Sequence, residues 1–121
     1  MAKILTVDDA AFMRRIIKST LRKAGYTEIY EATDGIQAVE RYIQLKPNLV
    51  LMDITMPNMN GLDALKAIRT ADPGANVVMC TAMGQESMVI DAIRSGAKDF
   101  IVKPFKPERI LNVVATIIGN P

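Results

Sequence analysis

Short apolar segments alternate with longer segments of helical periodicity five times along the 121-residue chain, and this alternation is the strongest constraint on its fold. Five strands are predicted, at residues 3–7, 28–32, 48–52, 76–80 and 99–103. Strands that alternate with helices are typical of βαβ units, in which parallel strands form one sheet and helices cover its faces. The third and fourth strands are apolar almost throughout, as burial on both faces requires. The sequence therefore predicts an α/β fold built on a single doubly wound, five-stranded parallel sheet with five helices.

Residues with specific backbone preferences mark the helix boundaries. Gly25 is predicted to end the first helix in the C′ position, and Asp34 is predicted to cap the second. The second helix is predicted to end at Lys46, because a residue before proline avoids helical dihedral angles. We expect its core-facing side to consist of Ile36, Val39, Tyr42 and Ile43. Further helices are predicted around residues 62–68 and 85–95, and from Pro107 onwards.

Composition excludes several functional classes. The net charge of +2 lacks the basic excess that is typical of nucleic-acid binders. The chain has no histidine, which excludes serine–histidine catalysis, cysteine–histidine catalysis and histidine-based metal sites. The one cysteine, Cys80, lies in an apolar segment and is predicted to be buried. Because no apolar stretch is long enough to span a membrane and no signal-peptide layout is present, we expect a cytoplasmic protein without nucleic-acid or membrane partners.

Polar side chains follow four of the five predicted strands. Asp8 and Asp9 follow the first strand, Asp53 the third and Thr81 the fourth, and Lys103 ends the fifth. Right-handed crossovers bring the carboxyl ends of parallel strands to one edge of a sheet, where such folds bind their ligands. The sequence thus predicts that three carboxylates, a hydroxyl and an amine lie together at that edge.

This set of groups suits phosphoryl chemistry on a divalent cation. Three clustered carboxylates repel one another unless a cation is present, and an all-oxygen site matches Mg²⁺. Lys103 is a compact charge that can bind phosphate oxygens, and the Thr81 hydroxyl can donate to one. Asp53 could then attack phosphorus as a nucleophile and form an aspartyl phosphate. Taken alone, Asp9 also suits a helix cap, Asp53 a turn, and Lys103 a solvated strand end.

Five motifs, in this order and at these separations, resemble the receiver domains of two-component response regulators. They are VDD (7–9), MDITMPNMNG (52–61), CTAM (80–83), SGA (95–97) and FIVKPF (100–105). The resemblance covers essentially the whole chain and points to the chemotaxis members of that family. It implies the strand order 2-1-3-4-5 and one receiver domain over residues 1–121 without an output domain.

The resemblance also implies roles for individual residues. Asp53 would be the phosphoacceptor, and Mg²⁺ would be held by Asp8, Asp9, Asp53 and the backbone carbonyl of Thr55. Lys103 would bind the phosphoryl group, and its peptide bond to Pro104 is expected to be cis.

Two residues would form the switch that the resemblance implies. The Thr81 hydroxyl would move to the phosphoryl oxygen, and the Phe100 ring would change rotamer with it. Many family members carry Tyr or His where Phe100 stands, so we expect no output contact that needs a polar ring tip here. The positions of Thr55 and Met83 tune the lifetime of the phosphoryl group in the family.

The function expected from the resemblance is that of a stand-alone signalling protein rather than an enzyme. A sensor histidine kinase would be the phosphodonor, and a flagellar motor switch protein and a phosphatase would be further partners. A phosphorelay intermediate is the alternative within the family. A metal-dependent phosphohydrolase of the haloacid dehalogenase type would carry a second Asp where Thr55 stands, and a flavodoxin-like electron carrier would need a hydroxyl-rich loop after the first strand.

Overall fold

The computed structural model describes all residues, 1–121, as five strands and five helices in strict alternation. The strands are β1 (Lys3–Val7), β2 (Glu28–Ala32), β3 (Leu49–Asp53), β4 (Val77–Thr81) and β5 (Asp99–Val102). The helices are α1 (Ala11–Lys23), α2 (Gly35–Leu45), α3 (Gly61–Ala71), α4 (Glu86–Arg94) and α5 (Pro107–Ile118). The predicted fold class is therefore confirmed, with strand ends within one residue of those expected.

All neighbouring strands pair in parallel in the order β2-β1-β3-β4-β5, as the resemblance implied. Successive residues of a strand point to opposite faces, so the strands supply two separate cores. Helices α2, α3 and α4 cover one core, which includes Val50 and Met52. Helices α1 and α5 cover the other, which includes Leu49 and Leu51. Every residue of β3 and β4 is consequently buried, which explains their apolar sequences.

The predicted apolar face of α2 is wrong for two of its four residues. Ile36 is 46% exposed and Ile43 is 58% exposed, whereas Ala38 and Tyr42 are buried. Helix α2 packs mainly on β1 and α3, and small residues at its contact surface leave room for only a narrow apolar stripe. The wider stripe that periodicity suggested therefore extends into solvent.

The predictions for the helix boundaries were confirmed. Asp34 caps α2 by accepting a hydrogen bond of 2.8 Å from the backbone N–H of Gln37. Lys46 ends that helix in the left-handed region, directly before Pro47. Gly25 follows α1 with a φ of +106°, a conformation that glycine adopts without steric cost.

Cys80 is buried in β4, as predicted, and burial raises the pKa of its thiol to about 12. No helix of the protein has the length and apolar character needed to cross a bilayer.

Candidate functional site

The carboxyl ends of the central strands bring the predicted polar residues together. Asp8 follows β1 directly, Asp53 is the last residue of β3, Thr81 is the last of β4, and Lys103 follows β5. Asp53 and Thr81 belong to their strands rather than to the loops after them, because the strand pairing extends through the last residue of each. Their side chains are thus fixed by the sheet itself.

Three carboxylates form the centre of the site. Asp8, Asp9 and Asp53 each place one carboxylate oxygen within 4.8 Å of the others. Asp8 is 2% exposed and Asp53 is 7% exposed, whereas Asp9 faces solvent. An oxygen-only donor set with an open side fits Mg²⁺, which keeps several waters and takes substrate phosphate as a further ligand.

Lys103 joins the two buried carboxylates. Its Nζ lies 3.0 Å from Oδ2 of Asp8 and 3.1 Å from Oδ1 of Asp53. Burial raises the pKa of Asp53, and the charges of Asp8 and Asp9 add to that rise, which the ammonium of Lys103 opposes but does not cancel. Burial works against the charge of Lys103, but the hydrogen bond to Asp8 and the charge of Asp53 prevail and raise its pKa.

Neither acid of the first loop acts as the predicted helix cap. The N-cap residue of α1 is Ala10, whose methyl group cannot accept a hydrogen bond, so the cap interpretation of Asp9 is wrong. Asp8 instead folds the loop back, because its Oδ1 accepts a hydrogen bond of 2.9 Å from the backbone N–H of Ala10. Arg14 supports the same turn, with Nη1 donating to the Asp8 carbonyl at 2.7 Å. The carboxylate of Asp9 is left free at the rim of the site.

The loop from β3 to α3 is held against Asp53 by contacts that the sequence did not reveal. Asn58 has a φ of +67° and donates from Nδ2 to Oδ2 of Asp34 at 2.7 Å. Gly61 begins α3 directly against the backbone of Asp53. Its N–H donates a hydrogen bond of 2.7 Å to the Ile54 carbonyl. Asp34 therefore caps α2 and positions the loop that contains Thr55.

The residues of the predicted switch lie beside a groove. Thr81 is buried, and its carbonyl accepts from the N–H of Lys103 at 2.7 Å, while Phe100 is half-buried. The Lys103–Pro104 peptide bond is cis, as expected. Between α4 and β5 lies an open groove of about 550 Å³, whose apolar lining is provided by Met83, Val89, Ile90, Ile93, Phe100 and Val102.

Sequence reasoning missed Gln85 entirely. Its Oε1 accepts from the backbone N–H of Ala82 at 2.7 Å, and its Nε2 donates to Oγ1 of Thr55, also at 2.7 Å. The side chain thus connects the loop that follows Asp53 with the loop that follows Thr81 on the neighbouring strand. No local pattern points to such a contact, because Thr55 and Gln85 are 30 positions apart.

The fold and the acidic site define a class of signalling module. The family model of the response regulator receiver domain matches residues 4–115, and the chain belongs to that family. The chain is also similar to individual members of this family. It is 57% identical to the chemotaxis protein CheY of Thermotoga maritima over 112 residues, which cover 93% of each chain. CheY of Bacillus subtilis is 58% identical over 112 residues, again 93% of each chain.

Solved structures agree with this relationship. A chain in the CheX–CheY–BeF₃–Mg²⁺ complex from Borrelia burgdorferi superposes with a TM-score of 0.91 at 36% identity, covering 96% of this chain and 88% of that one. The chain is thus a receiver domain closely related to the CheY proteins of chemotaxis.

Proposed function

We propose that this protein is a chemotaxis response regulator in which Asp53 accepts a phosphoryl group from a sensor histidine kinase in the cytoplasm. The observation that carries the proposal is the position of Asp53, nearly buried between two carboxylates and the ammonium of Lys103. That environment suits a carboxylate that must be a nucleophile toward an anionic group.

Transfer requires one bond to form and one to break. A carboxylate oxygen of Asp53 attacks phosphorus, the new O–P bond forms as the N–P bond of the donor phosphohistidine breaks, and the departing imidazole takes a proton from water. Lys103, already 3.1 Å from Asp53, would bind an oxygen of the incoming group and offset its charge. The bond to Asp8 holds the Lys103 ammonium in place before the donor arrives.

Asp8, Asp9 and Asp53 are proposed to hold Mg²⁺, with the Thr55 carbonyl as a further ligand. When bound, the ion supplies positive charge against the phosphoryl oxygens. The donor chemistry fits, since all four groups offer oxygen. Asp9 is free to serve because its side chain has no hydrogen bond within the protein.

Output is proposed to leave through the face formed by α4, β5 and α5. Thr81 ends β4 beside the site, and Phe100 lies on the neighbouring strand and lines the apolar groove. Movement of the Thr81 hydroxyl to the phosphoryl group would let the Phe100 ring turn inward and reshape that groove. A flagellar motor switch protein is the proposed partner of the reshaped face, and a phosphatase is proposed to reset it. If Phe100→Ala left the phosphorylation dependence of partner binding unchanged, the aromatic part of this switch would be wrong.

The test is phosphorylation by a small donor. Purified protein is incubated with Mg²⁺ and acetyl phosphate and analysed by intact mass, beside Asp53→Asn, Asp91→Asn as a matched exposed carboxylate, and a chelator control. We expect one phosphoryl group on the wild type and on Asp91→Asn, and none on Asp53→Asn or without Mg²⁺. Absence of the group from wild type with donor and metal in excess would refute the proposal.

A further inference from the structure

Gln85 bridges the loop that follows the candidate phosphoacceptor, Asp53, and the loop that follows the neighbouring strand β4. It stands at the start of α4, half-buried, and uses both ends of its amide. Its oxygen accepts from the Ala82 N–H and its nitrogen donates to the Thr55 hydroxyl, each at 2.7 Å. A glutamine that served only to shape the β4–α4 turn would need the first of these bonds alone.

The two groups that Gln85 contacts lie next in the chain to residues proposed for the site, or belong to one of them. Thr55 is two residues beyond Asp53, and its backbone carbonyl is a proposed ligand of Mg²⁺. Ala82 directly follows Thr81 and carries the first backbone N–H beyond the end of β4. A backbone N–H at this edge is the kind of donor that stabilises an arriving anion. In the resting protein that donor is already bonded to Gln85.

We propose that Gln85 is a positioning residue that holds the β4–α4 loop in its resting position and competes with the incoming phosphoryl group for the Ala82 N–H. This inference rests on the proposed function of Asp53. Phosphorylation would then require the Gln85 bond to Ala82 to break, and release of Gln85 from Thr55 would free the loop to follow Thr81. Gln85 thereby makes the resting state harder to leave.

Substitutions can remove each end of the bridge with little change of shape. Gln85→Met keeps the length of the side chain and removes both polar groups, and Thr55→Val removes only the hydroxyl while keeping the backbone carbonyl. Gln44→Met, at an exposed position of α2, is the matched control. The four proteins and the double variant are compared at equal Mg²⁺ and acetyl phosphate.

Two measurements test the bridge. Amide hydrogen exchange at Ala82, recorded without donor, is expected to accelerate in Gln85→Met and not in Gln44→Met. The rate of phosphorylation by acetyl phosphate is expected to rise about 2- to 10-fold in Gln85→Met, the factor that one net hydrogen bond corresponds to. The double variant should be no faster than Gln85→Met alone, because both substitutions break the same bridge.

Unchanged exchange at Ala82 would mean that the bond does not hold the loop. An equal or slower phosphorylation rate in Gln85→Met, or fully additive effects of the two substitutions, would mean that Gln85 does not oppose the phosphorylated state. A wild type that takes up no phosphoryl group would instead refute the proposed function. Exchange at Ala82, which needs no donor, would still decide in that case whether Gln85 holds the loop.

Discussion

Nζ of Lys103 lies 3.1 Å from Oδ1 of Asp53, so the candidate nucleophile is paired with a cation before any phosphoryl group arrives. The pair is fixed by two strands, because Asp53 ends β3 and Lys103 follows β5, with β4 between them. We therefore expect an oxygen of the incoming phosphoryl group to take the place of the carboxylate oxygen at Lys103.

Replacing Lys103 with methionine should slow phosphorylation by about 100-fold, the usual effect of removing one donor that stabilises developing negative charge. The variant keeps the aliphatic stem and loses only the ammonium. The rate with acetyl phosphate, followed by intact mass, is the measurement. Lys106→Met is the control, because Lys106 is exposed and has no ion pair. Equal rates in wild type and Lys103→Met would contradict this role of Lys103.

Asp8→Asn should weaken Mg²⁺ binding by at least about 10-fold, since even groups that only orient metal ligands have effects of that size. Mg²⁺ should stabilise the wild type against unfolding in proportion to the logarithm of its concentration above the dissociation constant. We expect that increase to shift to higher concentration in Asp8→Asn. Thermal unfolding at a series of Mg²⁺ concentrations measures this stabilisation in the wild type and in Asp8→Asn, with Asp91→Asn as a surface control. Identical titrations would remove Asp8 from the metal site.

Gly61→Ala should lower the free energy of unfolding by about 1–3 kcal/mol, the range for overpacked sites. A β-carbon at Gly61 would collide with the carbonyl oxygen of Asp53, so the backbone of β3 or of α3 must shift. Gly74→Ala is the matched control, because a β-carbon there meets nothing closer than 3.4 Å. Denaturant unfolding of both variants tests the prediction, and equal stabilities would count against it.

Thr6→Val should raise the free energy of unfolding by about 1 kcal/mol, because it removes a buried hydroxyl that has no partner. Thr6 is fully buried in β1, and its Oγ1 has no hydrogen bond. Valine has nearly the same shape and a stronger preference for strands. The comparison is again by denaturant unfolding. A less stable variant would mean that the hydroxyl finds a partner in solution, such as water.

Asp34→Asn should reveal the contribution of a charged cap. The Gln37 N–H and then the Asn58 amide hold the pKa of Asp34 below its usual range. As the pH falls, Asp34 therefore takes up a proton in the unfolded chain before it does so in the folded protein. The stability that its carboxylate contributes is fully present above the pKa of the unfolded state and is lost as the pH falls through the pKa of the folded state.

Asparagine is as good an N-cap as aspartate, so Asp34→Asn keeps the bond from Gln37 and removes the charge together with the oxygen that accepts from Asn58. The variant should be less stable than wild type at neutral pH, with the difference shrinking below about pH 4, near the ordinary aspartate pKa. Denaturant unfolding at several pH values gives the profile. A difference that is constant with pH would assign the effect to the lost hydrogen bond from Asn58 rather than to the charge.

The strand–helix alternation was enough to predict the sheet, and the position of Asp53 and Lys103 at its edge followed from the parallel arrangement. Local signals such as Asp34 and Lys46–Pro47 also worked, because capping and proline sterics act within a few residues. The exposure of Ile36 and Ile43 could not be predicted from periodicity, which shows that a helix has an apolar side but not how much of it a neighbour covers.

Contacts between distant loops were out of reach for a different reason. Asn58 and Asp34 are 24 positions apart, and Gln85 and Thr55 are 30 apart. Each pair meets only because separate loops end at the same edge of the sheet. Nothing in the neighbourhood of Gln85 distinguishes it from a surface glutamine, so the bridge could be recognised only once the loops were placed.

The burial of Cys80 has a practical consequence for labelling the protein with a fluorescent dye. Its thiol is enclosed within β4 and has a pKa of about 12, so a maleimide has almost no thiolate to attack in the folded protein. A cysteine introduced at exposed Met83 or Ile90 would then be the single position that accepts a fluorophore. The native sequence thus allows one dye to report on the α4 groove without removal of its own cysteine.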